Sequence, residues 1–152
     1  MKTIKEEIEV LSPQEELFDL TQDYQRRLEW DPYLREAYLL NGAVDAEVGV
    51  QSVCTNHRGS VMVSKYVSFK RPKVAAVTMV SGPYILKSFS GAWNIKTISD
   101  SSSLLVFTYN FELKGGIIGR LLQPLASFLF RLDMRKRLHA IKLYIEQPPG
   151  SA

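Results

Sequence analysis

Between Tyr33 and Lys114 the sequence divides into six β-patterned segments separated only by turn signals. The segments are YLREAYLLNG, EVGVQSVCT, VMVSKYVSFK, VAAVTMV, YILKSFSGAWNIKTI and LLVFTYNFEL. The breaks fall at Asn41-Gly42, NHRGS, Arg71-Pro72, Ser81-Gly82-Pro83, SDSSS and Lys114-Gly115-Gly116. None of them can hold the crossover of a dozen or more residues that parallel strands need, so the run predicts an antiparallel meander. In the last segment Leu105, Phe107, Tyr109, Phe111 and Leu113 fall on one side, and Thr108, Asn110 and Glu112 on the other. A sheet with one apolar face must cover it.

The flanking segments supply the cover. KTIKEEIEVLS roughly alternates through Ile4, Ile8 and Val10 and predicts a first strand. SPQEELFDL predicts a helix, with Ser12 as cap, Pro13 in the first turn and Glu15 completing a capping box. QRRLEWDP predicts a short second helix that closes before Pro32. The segment after Lys114-Gly115-Gly116 reads as helical: Pro124 begins or kinks it, and SFLFRLDMRKRLHAIKLYIEQ continues to the Pro148-Pro149 stop. The order is strand, two helices, six strands and one long helix, which is an α+β class. We expect a single domain over 1–147 and a disordered tail over 148–152.

The long helix carries two apolar stripes. At about 100° per residue, Met134, Leu138, Ile141 and Ile145 share one, while Leu121, Leu125, Phe128 and Leu132 share another nearly opposite. If the first packs on the sheet, its backward extension meets Gln123, Ser127 and Phe130, which are smaller or more polar and leave room for a ligand. The second stripe, rimmed by Arg120, Arg131, Arg135 and Lys136, has three readings. The helix breaks near Pro124 or Asp133 and both stripes reach the core, or the stripe docks on a membrane surface, or it is a homodimer contact. The apolar run from Ile117 to Leu132 is about 16 residues, short of the roughly 20 that span a bilayer.

Several chemistries lack their residues. Cys54 is the sole cysteine, so no internal disulfide or Cys-rich metal site can form. It reads as a buried inert thiol. The two histidines, His57 in a turn and His139 beside charged neighbours, read as surface residues. No Gly-x-Ser-x-Gly, His-x-x-x-His or Cys-x-x-Cys pattern occurs. We therefore expect no metal, no cofactor and no assignable catalytic residue. The N-terminal MKTIKEEIEV has acidic residues where a signal peptide has an apolar stretch. A cytoplasmic setting fits, with peripheral membrane contact as an option. Charge is uneven: residues 1–32 hold four Lys/Arg and nine Asp/Glu, residues 33–119 nine and five, and residues 120–146 six and two. This asymmetry marks either a basic docking surface or an acidic helix beside a basic one. RLDMRKRLHAIK reads as a solvated helix face without a stacking platform, so no nucleic-acid partner is expected.

This element order resembles the START-like or SRPBCC superfamily, the helix-grip fold, and within it the polyketide cyclase/dehydrase and lipid-transport branch. The resemblance is carried by SPQEELFDLTQDYQRRLEWDP, SGPYILKSFSGAWNIK and RKRLHAIKLYIE, and spans about residues 3 to 146. It implies a curved antiparallel sheet of about seven strands wrapped around a long C-terminal helix, with an apolar cavity between them. Such proteins bind or carry lipids, sterols, quinones or polyketides, and some are cyclases.

For the cavity, aromatic alternation on the strands and the helical phase nominate Tyr66, Phe89, Trp93, Phe107, Tyr109 and Phe111, with Phe130 and Met134. The competing reading is a closed core filled by the same side chains. Three functions follow. The first is a binder or carrier of a hydrophobic small molecule, with the KGGIIGR turn as a gate. The second is a polyketide cyclase or dehydratase using Tyr109, Tyr66 or Arg71 as acid. The third is a protein-interaction module using the outward stripe.

Overall fold

A computed structural model describes residues 1–147. The elements are β1 (Lys2–Val10), α1 (Gln14–Gln22), α2 (Arg27–Trp30), β2 (Leu34–Leu39), β3 (Gln51–Asn56), β4 (Val61–Lys70), β5 (Val74–Ser81), β6 (Leu86–Ser99), β7 (Ser102–Leu113) and α3 (Ile117–Glu146). The expected tail at 148–152 lies outside the described residues. The seven strands form one antiparallel sheet in the order β1-β7-β6-β5-β4-β3-β2. The expected meander is present, with β1 added to its far edge against β7.

Register shifts bend the sheet. They occur between Leu34 and Glu36, between Tyr66 and Ser68, and between Leu86 and Ser88. Such irregularities increase local twist and curl a sheet around what covers it. Leu105, Phe107, Tyr109, Phe111 and Leu113 all point inward, as their alternation predicts. α3 packs along β1 and β7, where Met134, Leu138 and Ile141 are buried against Ile4, Leu105 and Phe111.

α3 is one unbroken helix of 30 residues with Pro124 inside it, about 45 Å long. Pro124 removes one backbone donor and leaves the Arg120 carbonyl without its helical partner. Pro124 and Arg120 are both exposed, so water can serve that carbonyl. The break that would have turned both stripes inward does not form. Before the helix, Gly115 and Gly116 take positive φ angles of 98° and 56°. A Cβ on Gly119 would stand 2.5 Å from the Lys114 carbonyl oxygen. The glycines of KGGIIGR thus make the reversal from β7 into α3.

Two local expectations are corrected. The capping box at Ser12 does not form, because Pro13 is extended (φ −60°, ψ 152°) and α1 begins only at Gln14. Ser12 instead donates from Oγ to the Pro13 carbonyl, and its own carbonyl accepts from Ser103 Oγ at 2.8 Å. The EVGVQSVCT strand begins only at Gln51. Gly49 at φ 90° turns the chain out of the extended region, while its N–H still bonds the Tyr66 carbonyl.

Part of the charge asymmetry is spent within the molecule. Arg131 and Arg135 of α3 both bond Glu6 of β1, at 3.1 and 3.0 Å. Lys142 reaches the Glu9 carbonyl and Glu146. The basic helix lies against the acidic first strand.

Candidate functional site

A cavity of about 280 Å³ lies between the concave face of the sheet and α3. The sheet curves away from the helix on the β2–β5 side, while α3 stays tight against β1 and β7. Six of the eight predicted residues line it: Tyr66, Phe89, Trp93, Phe107, Tyr109 and Phe130. Phe111 and Met134 do not. Both are fully buried in the solid packing between α3 and the β1 edge, with the Phe111 ring 4.9 Å from Phe130. Helical phase explains Met134: the cavity-facing residues of α3 are Phe130, Asp133 and Arg137, a row rotated from the Met134–Leu138–Ile141 stripe.

The aromatics form a continuous wall. Trp93 and Phe107, cross-strand partners on β6 and β7, stack at 3.8 Å and 7°. Tyr109 sits edge-on to Phe89, Phe107 and Phe130 at 4.7, 4.8 and 5.7 Å. Such pairs fix ring orientation beyond simple burial.

Sequence reasoning missed the ionic part of the wall. Asp31, closing α2, accepts through Oδ2 from Arg27 Nε at 2.8 Å and from Arg137 Nε at 3.1 Å. Its Oδ1 accepts from the Tyr33 backbone N–H. Arg27 also donates to the Thr21 carbonyl, and Arg137 to the Tyr109 hydroxyl at 2.7 Å. Both guanidiniums lie over aromatic faces, Arg137 at 5.0 Å from Phe107 and Arg27 at 5.0 Å from Trp30. Burial pushes the Asp31 carboxyl up, but Arg137 and Arg27 outweigh it and hold the group below its usual range. Burial disfavours charge on both arginines too, and Asp31 keeps each firmly protonated. The available signal was positional, since Arg137 sits three residues after Met134 and four before Ile141, a charge at the edge of the buried stripe on the side that faces the cavity.

A second polar chain runs along the wall from Gln22 to Tyr66 at 2.6 Å and on to Tyr24 at 2.9 Å. Burial raises both tyrosine hydroxyls, Tyr66 strongly, so both stay neutral donors. Cys54 is not sealed in the core. It faces the cavity half-buried, and desolvation raises its thiol. Arg71, considered as an acid, is excluded by position: it is exposed and forked onto Asp19 at 2.7 and 2.9 Å. His57 and His139 are exposed. Among the described residues no cluster of three His, Cys, Asp or Glu is placed to hold a metal ion. No described helix is long and apolar enough to cross a membrane.

The family described as polyketide cyclase / dehydrase and lipid transport matches residues 1–146. No curated protein matches the sequence. Among solved structures, the protein XoxI from Bacillus cereus superposes with a TM-score of 0.80 at 15% identity, covering 97% of each chain. A START superfamily protein from Mycobacterium smegmatis gives 0.78 at 16%, covering 95% of this chain and 97% of its own. The Zhui aromatase/cyclase from Streptomyces sp. R1128 gives 0.74 at 14%, covering 99% of each. At these identities the likeness is one of fold.

Proposed function

We propose, from the premise that this chain belongs to the polyketide cyclase/dehydrase and lipid transport family, that it binds and carries a hydrophobic small molecule of lipid, quinone or polyketide type. The observation that carries this reading is the cavity itself, about 280 Å³ and walled mainly by aromatic and aliphatic side chains with a few placed polar groups. That composition suits an apolar guest with a polar head. The Gly115–Gly119 turn is the proposed gate. Native mass spectrometry of the purified protein, with extraction of co-purifying lipid, tests the reading. A protein that neither carries nor takes up any apolar molecule would refute it.

A cyclase or dehydratase is the second reading, favoured by the convergence of Arg27, Arg137, Tyr109 and Tyr66 on one cavity. A tyrosine hydroxyl held by a guanidinium can donate to a ketone oxygen, as an acid in ring closure must. Turnover of a linear poly-ketone, abolished in Tyr109→Phe, would select this reading over carriage. The interaction-module alternative required a filled interior, which the cavity argues against.

We further infer that the exposed stripe of α3 rests on an anionic membrane when cargo is exchanged. Leu121, Leu125 and Phe128 are 74%, 57% and 58% exposed, and Leu132 is half-buried. The Lys114 N–H bonds the Ile85 carbonyl at 2.8 Å, so the start of α3 adjoins the loop holding Ile85, which lines the cavity and is itself half exposed. The apolar stripe therefore continues to the cavity mouth. Within the basic rim, Arg131 and Arg135 are tied to Glu6, whereas Arg120 and Lys136 stand exposed without ion pairs among the described residues. Those two are the groups available to anionic headgroups.

A further inference from the structure

Proton positions in this cavity can be traced from one backbone carbonyl. Thr21 Oγ1 lies 2.7 Å from the Phe18 carbonyl oxygen, which can only accept, so the hydroxyl donates there. The Thr21 oxygen is then free to accept, and Gln22 Nε2 donates to it at 2.9 Å. This turns Gln22 Oε1 toward Tyr66, whose hydroxyl donates to it. The Tyr66 oxygen in turn accepts from Tyr24. Every hydroxyl proton along this chain is used inside the protein.

Tyr109 is arranged the other way. Arg137 Nη1 can only donate, so the Tyr109 oxygen is the acceptor at 2.7 Å. The Tyr109 proton has no acceptor among the described residues. The side chain is 7% exposed and its ring is held by Phe89, Phe107 and Phe130, so the hydroxyl cannot swing out to bulk water. Arg27 adds to the same wall, with Nε and Nη1 engaged and Nη2 unpartnered among the described residues. A donor on the cavity wall that no protein group accepts is open to an acceptor on the guest, and a hydrogen bond made there, away from bulk water, favours guests that supply one.

We propose that the cavity selects guests that present a hydrogen-bond acceptor oxygen, as a ketone carbonyl, enolate or carboxylate, to the Tyr109 hydroxyl, with Arg137 as the positioning residue that holds and polarises it. This rests on the ligand-binding reading above and specifies the head group of its cargo. Burial drives the Tyr109 hydroxyl up to about 12, against the pull of Arg137, so it remains a donor at neutral pH. Asp133 joins the lining as a half-buried carboxylate without an ion pair among the described residues. It opposes an anionic head, so neutral and charged acceptors need separate trials.

The test uses naphthalene, acetonaphthone, naphthoate and naphthylmethylammonium, with binding read by quenching of tryptophan fluorescence in wild type and Tyr109→Phe. Acetonaphthone, naphthoate or both should weaken on the order of tenfold in the variant, the scale of one buried hydrogen bond. Naphthalene should be unchanged, and the ammonium should be the poorest wild-type ligand. A comparison within wild type alone, acceptor-bearing probes against naphthalene and the ammonium, keeps the proposal testable if the variant fails to fold. Equal loss across all probes, no loss for either acceptor, or a wild-type preference for the ammonium would overturn the proposal while leaving the cavity reading intact. Failure of every probe to bind wild type would overturn both.

Discussion

Arg137 and Asp31 stand 106 positions apart in the chain and meet at 3.0 Å in the interior, both almost fully buried. Arg27 closes on the same carboxylate oxygen from the other side. This contact joins α2 to α3 beside the cavity and leaves Arg137 donating to Tyr109.

Asp31→Asn should be strongly destabilising, because it leaves two guanidiniums buried against one neutral amide. Breaking a buried ion pair by removing one partner costs about 3–5 kcal/mol, and urea denaturation would read this as a lowered midpoint. Arg71→Ala, at an exposed pair, should leave the midpoint almost unmoved.

The same carboxylate predicts a pH dependence. Its folded pKa is depressed, so its contribution is present in full above the ordinary carboxylate value and is lost as pH falls below that value toward the folded one. Thermal melts between neutral pH and about pH 3 should show wild type losing more stability than Asp31→Asn does. Parallel acid profiles would sink the assignment.

Gly91 faces the cavity from β6, and a Cβ added there would touch the Tyr109 ring at an ordinary 3.5 Å. Gly91→Leu should therefore fill the void without distorting the strand. Expected are loss of apolar probe binding by about tenfold or more and an unchanged or raised melting temperature. Retained affinity would place the guest elsewhere.

Met134→Ala should separate core from cavity. Truncating a fully buried methionine costs about 2–5 kcal/mol, and because Met134 does not line the cavity, probe affinity should hold under native conditions. Phe130→Ala should alter affinity as well.

Leu125→Glu should reduce flotation with anionic liposomes, and Arg120→Ala combined with Lys136→Ala should do so in a salt-sensitive way. Light scattering on the same samples reports whether the stripe pairs two copies of the chain instead. Unchanged flotation in Leu125→Glu would remove the membrane reading.

Much of this architecture was legible in the residues. Short turns between alternating segments leave antiparallel pairing as the only economical arrangement, and the inward faces of β6 and β7 follow from their two-residue period. Of the six nominated residues on the wall, Phe89, Trp93, Phe107 and Tyr109 lie there for that reason, and Tyr66 on β4 and Phe130 on α3 follow the periods of their own elements. Phe111 and Met134 share those periodicities but sit where α3 closes on the β1 edge, and alternation cannot distinguish a cavity wall from a solid core.

The polar machinery was much less legible. Arg27, Asp31 and Arg137 sit in segments that look like charged helix surface, QRRLEWDP and RKRLHAIK, and Tyr24 and Gln22 look like the end of a helix. Local pattern determines which face of a strand or helix is apolar, because side-chain direction repeats with the backbone. Tertiary structure alone decided which distant charges share one interior space, how far the sheet curves from the helix, and hence where Arg137 meets Tyr109. Those outcomes depend on long-range packing and desolvation, which have no period along the chain.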